Sequence, residues 1–290
     1  MSTVNPARAA ARGRVSRPSG RPRSAAAGRL PRWVNIEGVL FVIALIVLWQ
    51  ILVEAKVLDS SYFPAPTAIW STGVSLAGNG SLGGPLGHTL AVTLIGWAIA
   101  SLVGLVAGLL IGSFMPLWKY AMASVDVIRS IPAITFVPII ALIFGITLRA
   151  EIYVVCYVSG WPVLLNTVSG MQHVRAGYRD TARMMQFSRL EYIWKIALPS
   201  TAPGILVGLR LGMGLAITLT IVGELLINPA GIGFSLLQAE QRIETSSMYV
   251  YVITIGILGY LLNAALLGVA RIVLPGTTRG GALSREGASA

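Results

Sequence analysis

Long apolar runs broken by short polar segments fill the chain between residues 36 and 273. Six of them reach the roughly 20 helical residues needed to cross about 30 Å of hydrocarbon. They lie near 36–54, 88–113, 121–146, 151–171, 202–227 and 248–273. The runs are continuous rather than alternating and exceed the length of barrel strands, so they predict helices. The third is the least clean, because Asp126, Arg129, Pro132 and Pro138 interrupt it. The pattern predicts an all-α membrane protein: a six-helix transmembrane bundle.

Composition supports that class. Of 290 residues, 55% are hydrophobic and only 11% are charged, against roughly 25% charged in soluble domains. The single cysteine, Cys156, allows no disulfide framework and no cysteine metal site within one chain. Two runs carry small residues at every fourth position: Ala100, Gly104, Gly108 and Gly112, then Gly204, Gly208, Gly212 and Ala216. Such stripes let helices approach closely in lipid, either within one bundle or at a dimer or pathway seam. No inverted repeat relates the two halves, which weighs against a secondary transporter.

Charge gives an orientation. Eight arginines precede the first acid, Glu37, in a tail over 1–34 that lacks apolar periodicity and reads as disordered. A topogenic, cytoplasmic tail is the simpler reading, and a binding arm is the other. No A-x-A site follows the first span, so no cleaved signal peptide is expected. The segment 172–201 carries five basic residues against two acids, and the C-terminal end adds Arg271, Arg279 and Arg285. The alternate segments 55–87 and 228–247 are poor in cations. Cytoplasmic N and C termini follow, with 35–273 as the membrane domain and 274–290 as a second cytoplasmic tail.

The segment 172–201 has structure of its own. Ser188 followed by Glu191 is a capping box, which starts a helix at Ser188. Pro199 predicts its end at or before that residue. Asp180 to Met185 predicts a preceding helix, with a turn near Gln186 and Phe187. Met184, Met185 and Phe187 sit near that turn amid positive charge; they either meet a partner or fold back onto the membrane.

The spacing resembles the coupling signature of ABC importer permeases: E-A-A, three residues, G, nine residues, I, one residue, L-P. Asp180, Thr181 and Ala182 take the first three places, Gln186 the glycine, then Ile196 and Leu198-Pro199 close it without a gap. The resemblance implies that Asp180, Thr181, Ala182, Arg183, Met184, Met185, Gln186, Phe187 and Ser188 form a coupling helix and turn between spans four and five. In that family the corresponding element docks in a groove on an ATPase subunit, and the same is expected here. Where relatives carry glycine, Gln186 in a left-handed turn would cost about 1 kcal/mol, unless the turn has another geometry.

Further stretches, from Tyr62 to Trp70, Arg129 to Pro132, Pro199 to Gly214 and Glu224 to Gly233, resemble nitrate/sulfonate/taurine-type permeases. The resemblance implies a second permease copy, two ATPase subunits and an extracytoplasmic substrate-binding protein in a bacterial inner membrane. It further implies that ATP and Mg are used by the ATPase, with no cofactor on this chain, and a small, often anionic, solute. No nucleic-acid partner is expected.

Charges within spans are expensive and default to function. Arg129, Pro132, Arg210 and Glu224 are therefore the candidates for pathway or gating. Asp126 and Arg129 are three apart and can pair on one helix face. Glu224 could line the pathway, meet a binding protein or anchor at the interface; Arg210 could face a cavity, snorkel or bond a neighbour. The histidines, His88 and His173, are expected near opposite faces. No nucleotide-binding motif, catalytic grouping or set of paired polar catalytic groups at one depth is legible. The chain is expected to be non-catalytic, with a gradient-driven transporter as the alternative.

Overall fold

The computed structural model describes residues 36–174 and 176–273. The Arg-rich tail, Arg175 and the 274–290 tail lie outside the described residues.

Helix α1 (Ile36–Glu54) has no charged residue between Gly38 and Val53, and side chains such as Phe41 and Leu45 are exposed. Two short helices occupy segments whose sequence offers no long apolar run: α2 (Pro66–Gly78), with proline in its first turn, and α10 (Gly231–Gln241). Proline at that position lacks an N–H that would be unbonded anyway.

The long helices are α3 (Gly83–Ser113), α6 (Leu148–Gln172), α9 (Leu198–Leu226) and α11 (Thr245–Val273). Each is long and apolar enough to cross a membrane, and the interrupted third run adds one more crossing if its two halves count together. Those halves are α4 (Met115–Arg129) and α5 (Phe136–Phe144), bent by 68°. The break follows from Pro132, which disfavours helical backbone at Ile131, and a 3₁₀ turn at Ala133–Thr135 bridges it.

Helix α6 lies between α3 and α9, with both small-residue stripes turned toward it. A methyl group built on Gly104 would stand 2.8 Å from the Gly160 carbonyl, and one on Gly208 2.8 Å from the Pro162 carbonyl. Backbone meets backbone on both sides, so the stripes serve packing within this chain. Val92, Val155 and Ala216 fill the seam between the three helices, and Ser159, Thr167 and Thr220 bond carbonyls of their own helices. Outward-facing side chains such as Leu102, Leu142 and Tyr260 are large, apolar and exposed, the arrangement lipid requires.

The expected helix stop before Pro199 is not seen. Helix α8 (Arg189–Tyr192) passes through a π turn at Ile193–Ala197 directly into α9. The wider turn lies where the proline ring would press on the Lys195 carbonyl four residues earlier, and Pro199 falls in the first turn of α9.

Candidate functional site

The loop before α9 is held by local chemistry. Helix α7 (Ala176–Met184) ends in a Schellman motif: Phe187 N–H donates to the Ala182 carbonyl and Gln186 N–H to the Arg183 carbonyl, each at 3.0 Å. Gln186 takes the left-handed position at φ 54°. The sequence left two options there, and the structure has the strained one. Ser188 then caps α8, its hydroxyl accepting from Glu191 N–H at 3.3 Å, while its own N–H donates to the Glu191 carboxylate at 3.0 Å. Glu191, which precedes the apolar part of this run, also binds Lys195 at 2.9 Å. Lys195 and Ser188 hold the Glu191 carboxyl down at about 2.

Of the nine residues singled out from Asp180 to Ser188, Ala182 is buried and Phe187 is half-buried beneath the Lys195 ammonium, 5.0 Å from its ring centre. Asp180, Thr181, Arg183 and Gln186 are exposed. So are Met184, at 88%, and Met185, at 60%. Two methionines thus stand on the outer side of a helix–turn–helix hydrogen-bonded at both ends of its turn, with no cover among the described residues. A cavity of about 570 Å³ lies on its inner side, against the ends of α3 and α6.

The intramembrane candidates do not share one site. Arg129 binds Asp126 at 2.9 Å, as the spacing predicted, with both side chains about half exposed. Pro132 lies in the α4–α5 break, its carbonyl accepting from Thr135. Arg210 donates to the Asn263 amide oxygen at 3.0 Å and so ties α9 to α11.

Glu224 is fully buried. Thr89 donates to it at 2.6 Å and Gly233 N–H at 2.8 Å, while Ile232 N–H donates to Thr89 at 3.0 Å. This ties α3, α9 and the first turn of α10 into one joint. Gly231, at φ 89°, packs against the same carboxyl.

The sequence reading missed what lies beside this joint. His88 Nε2 sits 2.9 Å from the Glu151 carboxylate, which is fully buried and also faces Asn228. Thr93 and Thr220 share a hydrogen bond at 2.9 Å. Buried polar groups are therefore paired at one depth, an arrangement the sequence reading did not place. They come from three helices and are separated by as many as 135 residues in sequence, too far for spacing to show them. One signal was available: His88 and Glu151 lie within about two turns of the starts of α3 and α6, and Glu224 within one turn of the end of α9. The cluster is thus at the end of α3 opposite the loop, about 38 Å along that helix.

Residues 100–279 match the family described as binding-protein-dependent transport system inner membrane component. The chain is similar to a nitrate import permease protein of Leptolyngbya laminosa, 32% identical over 62% of this chain and 65% of that protein. A nitrate import permease protein of Synechocystis is 29% identical over 83% of this chain and 90% of its own length. A putative aliphatic sulfonates transport permease protein of Bacillus subtilis is 28% identical over 80% and 84%. Among solved structures, a chain of the MetNI methionine ABC transporter, in an inward facing conformation, has the same fold. Its TM-score is 0.59 at 22% identity, covering 65% of this chain and 94% of that one. The matched region holds α6, the helix–turn–helix loop and α9 together, and it spans well over half the sequence. The chain belongs to the family of binding-protein-dependent transport system inner membrane components.

Proposed function

We propose that this chain is the permease subunit of an ATP-driven importer, and that α7 with its turn is the element through which ATP hydrolysis is coupled to transport. The observation that carries this is the rigid loop itself: a Schellman motif and a capping box, back to back, presenting Met184 and Met185 outward. A loop stiffened at both ends transmits displacement, and the π turn joins it to α9 without an intervening flexible segment. The residues Asp180 to Ser188 are the docking surface in this reading. ATP and Mg belong to the partner ATPase, and this chain performs no chemistry on its solute.

Six spans, the sixth contributed by α1, place both termini in the cytoplasm, with 172–201 on the same side. The assembly is a homodimer with two ATPase subunits and an extracytoplasmic binding protein. The α4–α5 break at Pro132, with Arg129 before it, and Arg210 on α9 are the positions for gating or solute contact. The solute is a small anion of the nitrate, sulfonate or taurine kind, supported by relatives named for nitrate, aliphatic sulfonates and bicarbonate.

The test is retention of the ATPase subunit on the purified permease after Arg183→Glu with Met184→Glu. Strongly reduced retention is expected; full retention would remove α7 as the docking element.

A further inference from the structure

The cavity on the inner side of the loop has a one-sided charge. Arg183 and Arg189 line it, together with Phe114, Trp118, Gln172 and Tyr192, and no carboxylate among the described residues does. Arg183 makes no ion pair among the described residues, and Arg189 rests over the Phe114 ring at 5.5 Å. Asp180, the acid nearest Arg183 in sequence, is exposed and does not line the cavity, and Glu191, the acid nearest Arg189, is committed through both oxygens to Lys195 and Ser188. Gln172 Nε2 is buried with no hydrogen-bond partner.

The carbonyl ends of α3 and α6 also reach this cavity. Each is equivalent to about half a negative charge, so together they offset about one of the two arginine charges and leave a net positive site. The remaining wall is aromatic and aliphatic. At about 570 Å³ the space falls in the range of small-ligand pockets.

We propose that this cavity binds an anionic amphiphile, its phosphate-like head on Arg183 and Arg189 with Gln172 donating, and its apolar body against Phe114, Trp118 and Tyr192. The ligand is either an anionic lipid entering from the membrane edge or a soluble organic phosphate. Because α7 and α8 form one wall and the ends of α3 and α6 the other, occupancy braces the loop against the bundle. The binding itself does not depend on any role of α7 toward an ATPase.

The test uses the full chain without an ATPase, in phosphatidylcholine nanodiscs. Hexyl phosphate is added in one arm, and phosphatidylglycerol is included in the lipid in the other. A raised thermal midpoint in the first arm identifies a soluble ligand, in the second a lipid. In the responding arm R183Q/R189Q should weaken binding about tenfold or more, while R242Q/R271Q, with the same charge loss elsewhere, should not. In the soluble arm hexyl phosphate should bind at least about tenfold more tightly than methyl phosphate, a comparison that needs no variant. No response in either arm, equal response of R183Q/R189Q, equal loss in R242Q/R271Q, or equal binding of the two phosphates would each overturn the proposal.

Discussion

At the scale of single residues, Gln186 is the clearest departure from what backbone physics prefers. Its φ of 54° is forced by the Schellman bonds on either side, since Phe187 N–H can reach the Ala182 carbonyl only through a left-handed residue. Gln186→Gly should therefore stabilise the turn by about 1 kcal/mol, visible as roughly fivefold slower amide exchange across 182–187. Gln186→Ala should leave exchange unchanged, because alanine meets the same steric penalty. Glu224 offers the opposite case. Glu224→Leu strands Gly233 N–H in the buried joint, while the Thr89 hydroxyl keeps the Pro85 carbonyl at 3.1 Å, and should cost about 1–3 kcal/mol in thermal unfolding. Glu240→Gln, on an exposed side chain, should be near neutral. These two residues also mark how far sequence reaches. Gln186 and the Ser188 cap were legible because their partners lie within five residues. The role of Glu224 was not, because Thr89 reaches it across 135 residues.

At the scale of helices, the small-residue stripes decide how closely α6 can be approached. Gly208→Ala would place a methyl group 2.8 Å from the Pro162 carbonyl and 2.9 Å from Val163 Cα, backbone atoms that cannot rotate away. Displacement of α9 from α6 should cost about 1–3 kcal/mol. Gly214→Ala meets nothing within 4 Å and should be neutral or stabilising by up to about 1 kcal/mol. A thermal midpoint for each variant in one detergent checks the pair. The stripes could be read from spacing alone, but their partner could not, since a four-residue repeat names a face and not what covers it. The 68° bend had its cause in plain view at Pro132, whereas the π turn before Pro199 did not. A proline is compatible both with ending a helix and with continuing it through a wider turn, and only the packed chain decides between them. Helices α2 and α10 were read as loops because neither carries an apolar run of membrane length.

At the scale of the whole molecule, two ends of the bundle carry different chemistry. One holds the buried joint of Thr89, Glu224 and Gly233, with the His88–Glu151 pair beside it. The other holds the basic loop with its exposed methionines. Helices α3, α6 and α9 run between them in close backbone contact. The fold class was legible from apolar run length, and the family from the spacing of Asp180, Gln186, Ile196 and Pro199. The packing that joins the two ends is not contained in spacing. The central claim, an ATP-driven permease, is tested most directly by solute uptake into proteoliposomes. These would hold this chain with the proposed ATPase and binding-protein partners. Uptake should require ATP inside and the binding protein outside, and should persist when every ion gradient is collapsed. Uptake driven by an ion gradient without ATP would contradict the account.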